Sequence, residues 1–529
     1  MGAPAAGPPR PSTARSAVSV GSGILVSRIT GFARDVAIAA FFGTGIAADA
    51  YNAALRIPNT LRNLLGEGTL SASFVPVYSA MLEEDPEAAD RLARAVLGVV
   101  LGIAGLLSAA GVLLAPWLTR ALVPDWSGAS LRLTTSLVRI LFPMAGVMIV
   151  GAWALGVLNS HRRFFLPFVA PAAWNLAQIG GLLAGSWLGW GSLVHVLAWA
   201  TLVGSGLQVA VQLPSIVRLL GRLRPRLEPD WEPLRRVVGN ALPVIGSQGI
   251  FQISSLVDLA LASFVAHGAL AGIYYAQRLA YLPLSLVGVS VATASLPEMS
   301  RDTRSHVLRR RLRSGFLQIL YLTFPAALAL LLFGNLMVRV LFERAAFGAG
   351  STALVTGILF AFALGLVATS SVKLFASGFH AMQDTKTPMK IAAVSMTVGI
   401  GLGAALMFAF RSRGLGALSV SGLILGGSAG GWLNLILLWR GLRRRLGTLF
   451  ESPVLPVAGR IVAAALAAAA VGELVLHALG VPPEGASLAR RILVLAGTLG
   501  AAGVSYVLIA GKPPRGDAGS HAHPADRGT

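Results

Sequence analysis

Leu97–Trp117 reads LGVVLGIAGLLSAAGVLLAPW, with no Asp, Glu, Lys or Arg. About 20 apolar residues carry a helix across the hydrocarbon core of a bilayer. A second charge-free run of that length, Ile492–Gly511, lies at the far end of the chain. Between and before them the pattern repeats: long apolar blocks alternate with short polar or basic loops.

The composition agrees. Of 529 residues, 55% are hydrophobic and 12% charged, against about 25% charged in a typical soluble chain. Mean hydropathy is +0.72. The absence of cysteine excludes disulfides and thiolate metal sites. A net charge of +21 would suit nucleic acid, but the basic residues sit in loops between apolar blocks, where membrane orientation accounts for them. No nucleic-acid partner is expected.

The blocks predict 14 helices, centred at about residues 30, 63, 105, 145, 176, 204, 250, 285, 327, 366, 399, 428, 467 and 499. Alternating the loops puts about 27 Lys or Arg on one side and about eight on the other. The minority comprises Arg120, Arg132, Arg339, Arg344, Arg411, Arg413, Arg490 and Arg491. This asymmetry predicts an even number of spans with both termini in the cytoplasm.

A faint repeat supports the division. Asn52 to Pro58 in the second span answers to Gln277 to Pro283 in the eighth, and Pro167 answers to Pro388. An offset of six spans gives parallel repeats, whose interface is where transporters of this kind place substrate. The fold expected is an all-α integral membrane protein with 14 transmembrane helices: two six-helix pseudo-repeat lobes around a central cavity, plus two C-terminal helices. The segments are a disordered cytoplasmic tail (1–18), an N-lobe (19–219), a basic cytoplasmic linker (220–239), a C-lobe (240–440), two final helices (441–511) and a disordered cytoplasmic tail (512–529).

Charges inside the spans carry the functional argument. The first span holds Arg28, Arg34 and Asp35. In the second, Asp49, Asn52, Arg56, Asn59 and Asn63 recur every three or four residues, a polar stripe along one helical face. Arg62 and Glu67 follow, and Pro58 should bend the helix between. A charge at the bilayer centre costs at least about 2.5–3.5 kcal/mol, so the stripe should face protein or water. A purely structural network of Asp49 with Arg56 or Arg28 is the alternative to a polar cavity. The seventh span adds Ser247, Ser254 and Asp258, the eighth Tyr274, Arg278, Tyr281 and Ser285, and the tenth Lys373. A cavity with surplus guanidinium favours an anion, because arginine binds phosphate through a planar fork and keeps its proton. No His-x-x-x-His pair or phosphate-binding Gly-x-x-x-x-Gly-Lys loop appears, and no carboxylate cluster suited to an enzyme acting on polyprenyl phosphates. The chain reads as a transporter. Gly-x-x-x-Gly spacings indicate close helix packing.

Several segments together resemble the MurJ/MviN lipid II flippase family, within the wider MATE-like MOP exporter superfamily. They are Ser27 to Asp35, Phe42-Gly43, Ala48-Asp49-Ala50, Arg56 to Arg62, Gly66-Glu67-Gly68, Phe74-Val75-Pro76, Tyr274 to Leu279 and Phe379 to Pro388. The resemblance implies an alternating-access flippase of the bacterial inner membrane. It would move the undecaprenyl-pyrophosphate-linked peptidoglycan precursor, lipid II, from the inner to the outer leaflet. It carries substrate-binding roles onto Arg28, Arg34, Asp49, Asn59, Arg62 and Arg278, with Asp35, Asn52, Arg56, Glu67 and Lys373 in the same cavity. The last two helices would hold the polyprenyl tail. Membrane lipids surround it, and cell-wall synthases are candidate partners. The family pattern has an acidic residue where this chain has Gln277, and another where it has Tyr281. Some members bind sodium. Asp258 and Ser421 suit such a site, whereas Gly399 and Gly403 offer no side-chain oxygen. Na+ or Cl− coupling therefore stays open beside the membrane potential alone, with no other cofactor implied. The competing readings are an O-antigen or polysaccharide lipid flippase, a drug antiporter, or a polyprenyl-phosphate enzyme.

Overall fold

The computed structural model describes residues 13–221, 223–225, 231–265, 267–283, 304–416, 418–449, 454–483, 485–512 and 514; the side chains of 13–19, 67, 247, 248, 250, 251 and 253–255 are outside the description. Among the described residues all regular structure is helical. That is the economical solution for apolar chain in lipid, where each backbone N–H and C=O must be satisfied within its own helix.

The first compact unit spans Met1–Leu270. It contains α1 (Thr13–Phe42), α2 (Ile46–Leu65), α3 (Glu67–Glu84), α4 (Pro86–Leu122), α5 (Gly128–Ser160), α6 (Phe165–Val169), α7 (Pro171–Trp187), α8 (Leu193–Ala210), α9 (Leu213–Leu220) and α10 (Glu232–Ser263). Helix α5 lies at its heart, against α2, α4 and α8, while α1 packs on α7. Asp85 starts α4 by accepting the main-chain N–H groups of Glu87 and Ala88 at 3.1 and 3.0 Å, with Pro86 in the first turn. Trp153 of α5 is buried and donates its indole N–H to the carbonyl of Ala93 at 3.0 Å.

The second unit, Ala271–Thr529, holds all but the first two residues of α11 (Ala269–Pro283). It continues through α12 (Ser305–Leu341), α13 (Ala349–Ala381), α14 (Lys386–Ser412), α15 (Leu418–Leu446), α16 (Val454–Leu479) and α17 (Leu488–Ala510). Helix α13 is its central element, packed on α12 and α15, and α16 and α17 lie against α12. The closest pairing is α14 with α15. A Cβ on Gly426 would collide with the Gly403 backbone, and one on Gly430 would lie 2.8 Å from the carbonyl oxygen of Ser395. Gly399, Gly403, Gly422, Gly426 and Gly430, at four-residue spacings, thus form this contact.

Among the described residues ten helices are long and apolar enough to cross a membrane. Their outward faces carry large apolar side chains such as Leu106, Leu113, Trp117, Leu493 and Leu508, all more than half exposed. That surface suits a polytopic membrane protein and no soluble one. Of the four other expected spans, those centred near 30 and 250 fall on α1 and α10, that near 63 runs across α2 and α3, and that near 285 is centred outside the described residues, beyond the end of α11. Helices α1, α2, α10 and α11 carry Arg28, Arg34, Asp35, Asp49, Arg56, Arg62, Asp258 and Arg278.

Three local differences from the sequence reading stand out. Helix α1 already begins at Thr13, within the stretch read as a tail. The predicted second helix is two: α2 continues through Pro58 and stops at Leu65, and Gly66 separates it from α3, so Glu67 opens a new helix. A Cβ at Gly66 would strike the carbonyl oxygen of Arg62, which explains why the break falls at a glycine. The first compact unit extends through α10, which packs on α2, α3 and α4, whereas the N-lobe was drawn to end at 219.

The repeat recurs in the helices. α4 and α12 each have 37 residues, starting 219 positions apart. α5 and α13 each have 33, and both their ends are 221 apart. Immediately beyond them Arg162 and Gln383, again 221 apart, share a left-handed backbone with φ of 58° and 60°.

Candidate functional site

Arg34 and Asp35 sit on consecutive positions of α1, both buried. The Arg34 guanidinium donates from Nε and Nη2 to Asp35 Oδ1 at 3.1 and 2.7 Å, and from Nη1 to Oδ1 of Asn175 on α7 at 2.9 Å. Its carbon lies 5.1 Å from the Trp174 ring centroid, a cation–π contact. Asn175 in turn donates to the carbonyl of Ser27 at 3.2 Å and to the Thr30 hydroxyl at 3.1 Å. The segment Ser27 to Asp35 is therefore clasped by one asparagine.

The network continues. The Tyr51 hydroxyl of α2 lies 3.0 Å from Gln178 Oε1 and 2.7 Å from Thr201 Oγ1 of α8, and Trp174 donates its indole N–H to the Thr201 carbonyl at 2.9 Å. Sequence reasoning missed Tyr51, Trp174, Asn175, Gln178 and Thr201. Asn175 and Gln178, three apart in the otherwise apolar span α7, were the available signal.

The polar stripe of α2 is graded. Asp49 is buried, Asn52, Arg56, Asn59 and Arg62 are half-buried, and Asn63 is exposed. Asp49 lies in the first turn of α2, where the helix dipole favours a carboxylate. It accepts the main-chain N–H of Gly268 at 2.5 Å. Asn52 donates to the Ala48 carbonyl at 2.8 Å. Arg62 places its Nε in a buried position with no acceptor among the described residues, and its Nη2 is 3.5 Å from Asn63 Oδ1. Arg28 is exposed on α1. Asp258 is exposed on α10 and feels the charge of Arg56.

In the second unit Arg278 is exposed on α11, donates from Nη2 to the Tyr274 hydroxyl at 2.8 Å, and lies 4.9 Å from that ring's centroid. Gln277 and Tyr281, the departures from the family pattern, bond to each other: Gln277 Nε2 donates to the Tyr281 hydroxyl at 2.8 Å. Lys373 is exposed on α13. Ser421 is buried on α15 with no partner for its hydroxyl among the described residues. No group of three or more His, Asp or Glu able to hold a metal occurs among the described residues. The Glu67, Ser247 and Ser254 side chains and all of Ser285 lie outside the described residues.

The conserved-looking loop of the resemblance has a local explanation. Asp384 accepts the Thr387 main-chain N–H at 2.9 Å and its hydroxyl at 2.7 Å, opening α14, and pairs with Arg445 Nη2 at 2.6 Å. These bonds, led by the Thr387 hydroxyl, hold the Asp384 carboxyl well below the usual range. A separate apolar cleft of about 510 Å³, lined by Ala177, Gly181, Trp190, His195, Trp199 and Val203, opens between α7 and α8. It contains none of the predicted residues.

The chain matches the family described as Lipid II flippase MurJ over residues 38–480. It is 35% identical over 519 residues to a probable lipid II flippase MurJ of Rhizobium meliloti (strain 1021), covering 94% of each chain. It is 33% identical over 444 residues to the lipid II flippase MurJ of Burkholderia cenocepacia, covering 82% of this chain and 84% of that one. Its fold is similar to a lipid II flippase MurJ in an inward closed conformation, with a TM-score of 0.73 at 23% identity, covering 93% of this chain and 98% of that chain. It is also similar to an inward-facing multidrug resistance MATE family transporter of the MOP superfamily, with a TM-score of 0.65 at 15% identity over 83% of this chain and 99% of that chain. A multi-pass helical chain with charges placed on its α1, α2, α10 and α11 helices, matched this widely, belongs to the lipid II flippase MurJ family.

Proposed function

We propose that this protein is a lipid II flippase, moving the undecaprenyl-pyrophosphate-linked peptidoglycan precursor from the inner to the outer leaflet of the cytoplasmic membrane. The observation that carries the reading is 35% identity along 94% of both chains to a probable flippase of this kind, in a chain that places arginines in α1, α2 and α11.

In this reading 14 spans, with both termini cytoplasmic, form two six-helix lobes around a cavity, and α16 and α17 hold the polyprenyl tail. Arg28, Arg62 and Arg278 meet the pyrophosphate. Their planar forks match its oxygens. Arg34 acts differently: its ion pair with Asp35 and its bond to Asn175 fix the α1 segment that bears Arg28. The headgroup enters from the cytoplasm, the lobes rock, and the headgroup leaves on the other side while the tail stays in lipid. Cargo that neutralises arginines changes the charge moved through the membrane potential, worth about 2.3 kcal/mol per charge per 100 mV. Asp258 and Ser421 are the residues to which a coupling sodium would be assigned.

The test is complementation. Cells depleted of their own lipid II flippase should regain growth and cell-wall synthesis when this chain is expressed. A drug antiporter or polysaccharide-lipid flippase would express in the membrane without rescuing them.

A further inference from the structure

Three of the eight arginines expected on the sparsely charged side lie together. Arg339 and Arg491 flank one carboxylate, Glu343, with Arg344 beside them, where α12 ends and α13 and α17 begin. Glu343 Oε2 lies 3.5 Å from Arg339 Nε and accepts the Thr352 hydroxyl at 2.8 Å. Its Oε1 lies 3.2 Å from Arg491 Nη1, which also donates to the Glu343 carbonyl at 3.4 Å. Arg344 turns back onto its own helix, donating to the carbonyls of Leu341 and Val340 at 2.9 and 2.8 Å, within the field of Arg491. The side chains of Arg339, Glu343 and Arg491 keep only 11 or 12% of their exposure.

Three guanidinium groups against one carboxylate leave two positive charges in a mostly covered place. A guanidinium carries five N–H donors. The Arg491 Nε is buried with no acceptor among the described residues. Arg339 approaches Glu343 with its Nε, and its terminal nitrogens make no hydrogen bond among the described residues. Thr352 and Arg491, which both contact Glu343, lie in the first turns of α13 and α17, where the helix dipole adds positive partial charge.

Position along the helix identifies the ligand class. Arg313, in the basic first turns of α12, and Arg339 are 26 residues apart on one helix, about 39 Å at 1.5 Å per residue. A bilayer is about 30 Å thick across its hydrocarbon and about 40–45 Å including both headgroup regions, so about 39 Å reaches from one headgroup region into the other. With Arg313 at one headgroup layer, Arg339 stands at the other. We propose that Arg339, Arg344 and Arg491 form a binding site for the phosphate of a lipid headgroup, at the end of α12 remote from its basic start. Glu343 holds the arginines in place and competes with the phosphate for them. The site is distinct from Arg28, Arg62 and Arg278, and its test does not depend on what those residues transport.

Thermal unfolding of the purified full chain in detergent, titrated with phosphatidylglycerol, with diacylglycerol or with undecaprenyl pyrophosphate, tests this. Ligand bound only by the folded state raises the midpoint in proportion to its affinity. Phosphatidylglycerol should stabilise and diacylglycerol, which lacks phosphate, should not. Arg339→Gln should weaken the lipid's apparent affinity about tenfold, Arg339→Lys less, and Glu343→Gln should strengthen it by freeing two arginines. Stronger Arg339-dependent stabilisation by undecaprenyl pyrophosphate assigns the phosphate to a polyprenyl lipid; equal or weaker assigns it to bulk phospholipid. A purely structural clasp predicts that Glu343→Gln and Arg339→Gln lower the lipid-free midpoint alike and leave the lipid response unchanged. That result, or equal stabilisation by diacylglycerol, overturns the proposal.

Discussion

Arg34 of α1 and Asn175 of α7, 141 positions apart in sequence, are joined by a 2.9 Å hydrogen bond that completes the coordination begun by Asp35. The arginine is one of the most buried charges described in the chain, and it is held by a carboxylate, an amide and an aromatic face. Breaking a buried pair by removing one partner costs about 3–5 kcal/mol, because the other charge stays uncompensated. Asp35→Ala should therefore lower the thermal midpoint more than the double change Arg34→Met with Asp35→Ala. Equal losses in the single and double variants would remove the ion pair from the account.

Asn175 makes a sharper test, because it carries no charge. It satisfies Arg34, the Ser27 carbonyl and Thr30 together. Asn175→Ala should cost about 1–3 kcal/mol of stability, the range for leaving buried polar groups unsatisfied. It should also reduce translocation, by releasing the segment that carries Arg28. A variant with native melting and native transport would show that the clasp has no role.

The α14–α15 contact predicts a contrast between neighbouring glycines. Gly426→Ala must push a methyl into the Gly403 backbone, and overpacking of this kind costs about 1–3 kcal/mol. Gly427→Ala meets nothing within 4 Å, so it should be neutral or stabilise by the 0.5–1 kcal/mol or so that alanine gains over glycine in a helix. Melting of the two variants side by side decides it.

Much of this was readable beforehand, and the limits have physical causes. Charge-free runs such as Leu97–Trp117 mark spans unambiguously, because lipid tolerates few alternatives. The Gly-x-x-x-Gly spacings signalled close helix packing without saying which helices meet; the α14–α15 contact, where only a missing side chain permits the approach, emerges from the structure. The faint proline repeat was a weak trace of a regularity that helix lengths display far better, as in α5 and α13. Periodicity did not locate the break at Gly66, because the polar stripe of α2 runs up to it without a change of phase. Nor did it separate Arg34 from Arg28. Both are arginines in one apolar span, and the partner that distinguishes them, Asn175, lies on α7, beyond any local window.

At the basic end of α5, the His161 Nε2 lies 2.9 Å from the hydroxyl of buried Tyr78. Burial pushes the imidazole below its ordinary value; Asp90 opposes this and Arg163 reinforces it. A histidine with a lowered folded pKa contributes stability that is complete above about 6.5, its unfolded value, and is lost as pH falls through the folded value. The thermal midpoint should drop on acidification from neutrality, and His161→Gln should flatten that drop. Superimposable pH profiles would contradict it.

Arg278 is exposed and rests on Tyr274. Arg278→Lys keeps the charge but loses the planar fork, so transport should fall about tenfold while expression and melting stay native. Tyr274→Phe keeps the ring and removes the 2.8 Å bond, and should have a smaller effect.

The central claim is that exposed guanidinium groups on separate helices carry a pyrophosphate lipid across the membrane. Its most direct measurement is delivery of labelled lipid II to the opposite leaflet of vesicles reconstituted with this protein, with and without a membrane potential. The native chain should deliver it. Arg28→Ala combined with Arg278→Ala, both exposed positions, should insert and melt normally yet deliver none. Undiminished delivery by that double variant would contradict the account.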